Sequence, residues 1–327
     1  MFFAAACLFL TLVLSSLVRA GDAVFVAELD QRTESAISEA LAWLARSQQP
    51  DGSFGVGEYP GARTALALMA FMLQGHFPEG DKYADNMTKG VNFLIARMKA
   101  NNGYVGGSMY EHGLATLALS EAWGMSDNPE LRDTLKRAVD VILRAQDPSG
   151  GWKYTPRPAG ADVSVTVMQI VALASAKEAG ILVPDKTLER AVGYVRACQT
   201  AAGGFGYNGP NEPGFGRTAA GTLSLMLCGL HESPDVRRGL GYLRLASQGG
   251  SVFEKTDSFF YAHYYAMQVM YQAGEADYQS WYPRIRDTLL KSGGPSWREA
   301  KIPREVTTGM AVLILGVPYR YLPIYQR

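Results

Sequence analysis

The stretch Gly150-Gly151-Trp152-Lys153-Tyr154, a short loop, and then Gly160-Ala161-Asp162-Val163-Ser164-Val165-Thr166 leading into an apolar run that ends at Leu173 decide the fold. Alone, the stretch reads as a Gly-aromatic turn between two helices, which many α-helical proteins could contain. The turn, however, recurs. Copies run from Gln48 to Phe54, over Asn102-Gly103-Tyr104, from Gln146 to Trp152, from Gln199 to Phe205, from Gln248 to Phe253 and from Gly293 to Trp297. The aromatic residues of these six copies are 50, 48, 53, 48 and 44 positions apart. Six units of about 49 residues are the signature of a helical repeat array.

Each unit has the same two halves. Before the turn, apolar residues fall at helical spacing with charge on the other face, as in Ile37, Leu41, Leu44 or Leu131, Leu135, Ala138, Ile142, so these are one-sided outer helices. Asn128-Pro129 and Ser233-Pro234 mark two of their starts, a capping side chain followed by proline at the first helical position. After the turn the chain is apolar nearly all round, as in Ala65 to Leu73, Val167 to Ala174 and Met310 to Leu315. A helix with no polar face must be covered on every side. The first and last units carry no polar caps of the kind that an open solenoid needs. The prediction is an all-α fold, a closed (α/α)6 toroid of six helical hairpins with parallel inner helices, filling residues 33–327 as one domain after a lead at 21–32.

Residues 2–18 carry no charge, and Val18-Arg19-Ala20 fits a signal-peptidase site. The expectation is an exported protein, periplasmic or extracellular, cut after Ala20. With no Lys or Arg ahead of the apolar run, an N-terminal membrane anchor stays open. The rest of the chain offers no membrane-spanning segment, and its 31 basic and 31 acidic residues leave no electrostatic footprint for nucleic acid. Cys198 and Cys228 fall near the C-terminal ends of successive antiparallel helices, too far apart for a disulfide.

The repeated Gln and Gly-Gly-aromatic turns resemble those of squalene cyclases, protein prenyltransferase β-subunits and their relatives, and the similarity covers essentially the whole mature chain. Met109 to Thr116, Asp162 to Thr166 and Tyr319 to Pro323 resemble more closely a group of exported bacterial single-domain proteins carrying the prenyltransferase and squalene oxidase repeat. In the class II cyclases the resemblance implies Asp-x-Asp-Asp-Thr at Asp162 to Thr166, its middle Asp protonating an alkene. Ser164 stands at that acid and Val165 beside it. A serine hydroxyl offers no comparable acidity. The zinc of the protein prenyltransferases would need Asp, Cys and His ligands, and His76, His112, His231 and His263 have no partners at recognisable spacing. Neither metal nor other cofactor is expected.

Parallel inner helices bring six N-termini to one mouth, where free N–H groups and helix dipoles favour an anionic or carbonyl-bearing ligand. The candidate ligand-binding residues there are Arg63 and Thr64, then Tyr110 and His112, then Asp162, Ser164 and Thr166, Arg217, then Tyr261, His263 and Tyr264, and Glu305. Each has a structural alternative. Arg63, Arg217, Asp162 and Glu305 could pair with one another, Asp162 could cap its helix, and His112 and His263 could be buried, hydrogen-bonded core residues. Asp162, His112 and Glu111 are the catalytic candidates.

Three functional classes follow. One is a binding or scaffold protein whose mouth holds a small molecule, a lipid-like ligand, a glycan or a protein segment. The second is a polysaccharide lyase or hydrolase pairing Asp162 with His112 or Glu111. The third is a divergent terpenoid cyclase or isomerase. A deep aromatic cavity with one buried carboxylate favours the third, an open polar groove the second, and a shallow mouth with all charges paired the first.

Overall fold

Each unit folds as an outer helix, a turn and an inner helix. The computed structural model describes residues 29–319 except Asp81 and Asp127. The expected signal segment, most of the lead and positions 320–323 of the last quoted motif lie outside the described residues. The outer helices are α1 (Gln31–Ser47), α3 (Ala84–Ala100), α5 (Pro129–Ala145), α7 (Asp185–Ala197), α9 (Pro234–Gln248) and α12 (Glu275–Ser292). The inner ones are α2 (Pro60–Met72), α4 (Met109–Trp123), α6 (Val163–Glu178), α8 (Phe215–Leu227), α11 (Phe259–Ala273) and α13 (Arg304–Gly316).

The sequence signals act where expected. Asn128 accepts the Glu130 N–H at 3.0 Å and Ser233 the Val236 N–H at 3.2 Å, each with proline at the next residue. On α5, Leu131, Leu135, Ala138 and Ile142 are buried. Inner residues such as Ala65 to Leu73 are buried without interruption. Each inner helix packs on the next, α2 on α4, then α6, α8, α11 and α13, and α13 packs back on α2. That last contact closes the ring, and burial of apolar surface on both sides of every inner helix holds it.

The turns join one unit to the next. Gln48, Gln146 and Gln199 each donate their side-chain N–H groups twice. One bond goes to a glycine carbonyl within the turn (Gly52, Gly150, Gly203) and one to a carbonyl near the start of the following outer helix (Asn86, Thr187, Asp235), all between 2.8 and 3.1 Å. Gly150 has φ +101°, and a Cβ there would lie 2.2 Å from the Arg190 carbonyl oxygen of α7. Only glycine meets both constraints. Trp152, fully buried, donates its indole N–H to the Ile142 carbonyl at 2.7 Å, closing the end of α5. The fifth unit differs from the simple turn expected, because Gly250, with φ +78°, restarts the chain into a short helix α10 (Ser251–Glu254) that carries Phe253. Cys198 and Cys228 are free thiols.

Candidate ligand site at the mouth of the ring

One position recurs at the start of every inner helix. Thr64, Thr166, Thr218 and Thr308 occupy it in four units, and their hydroxyls accept the backbone N–H of the turn aromatics Phe54, Trp152, Phe205 and Trp297 at 2.9 to 3.2 Å. His112 and His263 occupy it in the other two. The Nδ1 of His112 accepts the Val105 N–H at 3.3 Å and its Nε2 donates to the Ala138 carbonyl of α5 at 3.0 Å. His263 pairs through Nε2 with the Val252 carbonyl at 2.9 Å, among Phe215, Phe253, Phe259 and Trp281. Burial lowers both imidazoles to about 4, so they are neutral near pH 7.

This revises several expected roles. Thr64, Thr166, His112 and His263 face the outer layer and fix the turn to the helix. His112 therefore forms no acid–base pair with Asp162. Asp162 is fully buried, accepts the Val165 N–H at 2.9 Å as its helix cap and accepts the Tyr207 hydroxyl at 3.1 Å. Burial raises its carboxyl against those bonds. Arg63 donates to the Val56 and Gly57 carbonyls at 2.6 and 2.7 Å, and Arg217 donates to the Glu212 carbonyl. Among the described residues neither forms an ion pair with Asp162 or Glu305, because loop carbonyls of their own units take the guanidinium groups.

Two residues before the Thr/His position, the helices point into the ring, at Ala62, Tyr110, Ser164, Gly216, Tyr261 and Val306. All of these except Gly216 line a cavity of about 400 Å³ at the mouth. One turn deeper, Leu114 and Met310 continue the wall. Below them the ring is filled by Tyr265, whose hydroxyl lies 3.3 Å from that of Tyr110 and donates to the Met168 sulfur at 3.6 Å. The Tyr261 and Tyr264 rings stand edge-on to Tyr265 at 4.9 and 5.0 Å. The outer wall comes from the turns, in Tyr59, Tyr154, Glu299, Lys301 and Ile302, and from Phe260 at the start of α11. Sequence reasoning missed these. Tyr154 and Glu299 both stand two residues after a turn aromatic, a position at which the six units vary freely and two others, Val56 and Tyr207, are exposed.

At four of the six inner helices an N-terminal N–H at the mouth is already taken by a group of the following unit. The Gly61 N–H of α2 is accepted by Glu111 at 2.6 Å, Met109 of α4 donates to the Tyr154 carbonyl, and Val163 of α6 donates to the Tyr207 carbonyl. On α11 the Phe259 and Phe260 N–H groups go to the two oxygens of Glu299 at 3.0 and 3.2 Å. In each case the following unit supplies the cap. Tyr59 and Ser258, the residues that precede α2 and α11, are left-handed at φ 56° and 52° and make no side-chain cap of their own, so carboxylates of the following units take that place. Glu111 is 1% exposed, its Oε2 meets no hydrogen-bond partner among the described residues, and burial raises its carboxyl despite the amide hydrogen bonds. Among the described residues no cluster of three or more His, Cys, Asp or Glu could hold a metal ion, so the residues do not fit the zinc of the protein prenyltransferases.

Comparison with family models matches the prenyltransferase alpha-alpha toroid domain over residues 3–109 and 28–250. The chain belongs to this family. A search of curated proteins finds no match. Among solved structures, this toroid is similar to the type II terpene cyclase MstE from Scytonema in its apo form. That likeness has a TM-score of 0.61 at 14% identity and covers 89% of this chain and 99% of the cyclase. The GH76A α-1,6-mannanase of Salegentibacter sp. HEL1_6, in complex with α-1,6-mannotetrose, gives a TM-score of 0.62 at 10% identity, covering 89% and 100%. A D-mannose isomerase gives 0.62 at 13%, covering 90% and 98%. At such identities the likeness is one of fold, and it spans unrelated chemistries.

Proposed function

We propose that this toroid is an exported ligand-binding protein that holds a small, largely apolar molecule in the mouth cavity, without class II cyclisation. The observation that carries the reading is the cavity itself. At about 400 Å³ it falls in the range of small-molecule sites, and its wall is mainly aromatic and aliphatic, with Glu111, Glu299, Lys301 and three serines as its polar side chains besides the tyrosines. Ser164 lies on that wall at the position that the cyclase resemblance gives to the acid, so the place exists and the proton donor is missing. The cyclase and mannanase neighbours hold small molecules or glycans in toroids of the same fold. Among the described residues no helix is long and apolar enough to cross a membrane. Export rests on residues 1–20 alone.

The test is to purify the chain without residues 1–20 and to identify by native mass spectrometry and solvent extraction whatever co-purifies. Ser164→Phe, which fills the cavity from its wall, is the comparison. A small molecule present in the wild type and lost from the folded variant supports the site. Two equally stable, empty proteins sink it.

A second reading has its own observation. Glu111 is a buried carboxyl, raised by burial, on the wall of an aromatic cavity, which fits a general acid for isomerisation. An extracted molecule that is the same in wild type and Glu111→Gln rules this out, whereas an isomer of equal mass and different retention supports it.

A further inference from the structure

At two of the six helix N-termini that converge on the mouth, a carboxylate reverses the sign that a bare N-terminus implies. Caps from the following units consume the N–H groups of α2, α4, α6 and α11, as described above. For α4 and α6 the capping groups are neutral carbonyls, but for α2 and α11 they are the carboxylates of Glu111 and Glu299, and both carboxylates line the cavity. At α11 the full negative charge of Glu299 set against roughly half a positive one leaves an excess of negative charge at the cap. Among the described residues Lys301 is the only cation of the lining and is exposed at the rim, while the buried Arg63 guanidinium donates to loop carbonyls and keeps its charge within electrostatic reach of Glu111 and Glu305. Around these carboxylates stand the rings of Tyr59, Tyr110, Tyr154, Tyr261 and Phe260.

Aromatic faces attract an organic cation through the ring quadrupole, and carboxylates beyond the rings complete its neutralisation. An anion would meet the carboxylates of Glu111 and Glu299 on the wall itself. Glu111 is 1% exposed and lies in the field of Arg97 and Arg63, so Glu299 is the carboxylate of the wall that has no such compensation among the described residues.

Resting on the mouth cavity as the ligand site, we infer that its ligand carries an alkylated ammonium group, held between the tyrosines and the two capping glutamates. The same chemistry occurs in free quaternary ammonium solutes and in amphiphiles with an ammonium head, so three probes separate the possibilities. Choline is the free solute, 3,3-dimethyl-1-butanol is its uncharged carbon isostere, and dodecyltrimethylammonium below its critical micelle concentration is the amphiphile.

Titration calorimetry at low ionic strength on the chain without residues 1–20 reads all three. Choline should bind about tenfold more tightly than the isostere, equivalent to about 1.4 kcal/mol. That ratio should fall to about twofold or less in Glu299→Gln, which keeps an acceptor for the α11 amides, and in Tyr261→Leu. A further gain of tenfold or more for dodecyltrimethylammonium assigns the amphiphile, and no gain assigns the free solute. Equal binding of choline and the isostere overturns the cation inference and leaves the apolar cavity reading standing. Failure of both ammonium probes, with a neutral molecule recovered by extraction from the wild type, overturns it as well. If both variants unfold, a choline preference in wild type that survives Ser164→Phe places binding outside the cavity and also overturns the inference.

Discussion

The seam that joins turns to inner helices and the mouth of the ring are built from residues two apart on the same helical turn, and they obey opposite rules. At the seam the chain repeats itself. Thr64, Thr166, Thr218 and Thr308 receive a turn N–H, and the two histidines that replace threonine bond to the turn backbone. At the mouth the equivalent positions are Ala62, Tyr110, Ser164, Gly216, Tyr261 and Val306, with no shared chemistry. Periodic residues hold the toroid together, and aperiodic ones make one side of it different from another, as a ligand site requires.

The first way to break this comparison is to remove a seam aromatic. Trp152 is fully buried and its indole closes the end of α5, so Trp152→Ala should cost about 3–5 kcal/mol, read by chemical denaturation. A loss below about 1 kcal/mol would mean that the turns do not carry the ring.

A second test uses the interchange of threonine and histidine. His112 and His263 titrate near 4 in the fold against an ordinary value of 6.5. Between those values the unfolded chain binds protons that the folded chain refuses. Their contribution is therefore complete above pH 6.5 and is lost as pH falls toward 4. Each histidine is worth on the order of 3 kcal/mol over that window. Asp162 and Glu111, raised by burial, act with the opposite sign at and above their ordinary carboxyl range and offset part of the slope. His112→Thr, which installs the residue of the four other units, should flatten the loss of stability between pH 6.5 and 4 while retaining an acceptor for Val105. An unchanged slope in denaturation curves across that range would refute the account of His112 as a neutral seam residue.

The same comparison explains what was legible in the sequence. The turn copies and the two helix types gave the toroid, because glycine at Gly150 and burial on all sides of the inner helices are demands that only a few residue types meet. Most of the candidate residues lie off the cavity, for a physical reason. Polar residues at inner-helix starts look alike whether they face the turn or the cavity, and a shift of two positions along a helix reverses the side. Comparison among the six units separates them, since Thr and His align with each other and Tyr110, Ser164 and Tyr261 align with Ala62 and Val306. Glu299 and Tyr154 escaped notice because they sit in the turns, and only the fold brings them over the cavity.

The smallest expected effect sharpens the comparison most. Thr166 and Ser164 both carry a hydroxyl on the first turn of α6. Thr166→Val is nearly isosteric but leaves the buried Trp152 N–H without its 2.9 Å acceptor, and should cost about 1–3 kcal/mol. Ser164→Ala removes a hydroxyl that faces the cavity and has no turn to hold, so its effect on stability should stay within about 0.5 kcal/mol. Its effect on retention of the co-purified ligand should be the larger of the two. Equal stability losses for both substitutions would show that the mouth is as much a part of the repeat framework as the seam, and the division between them would fall.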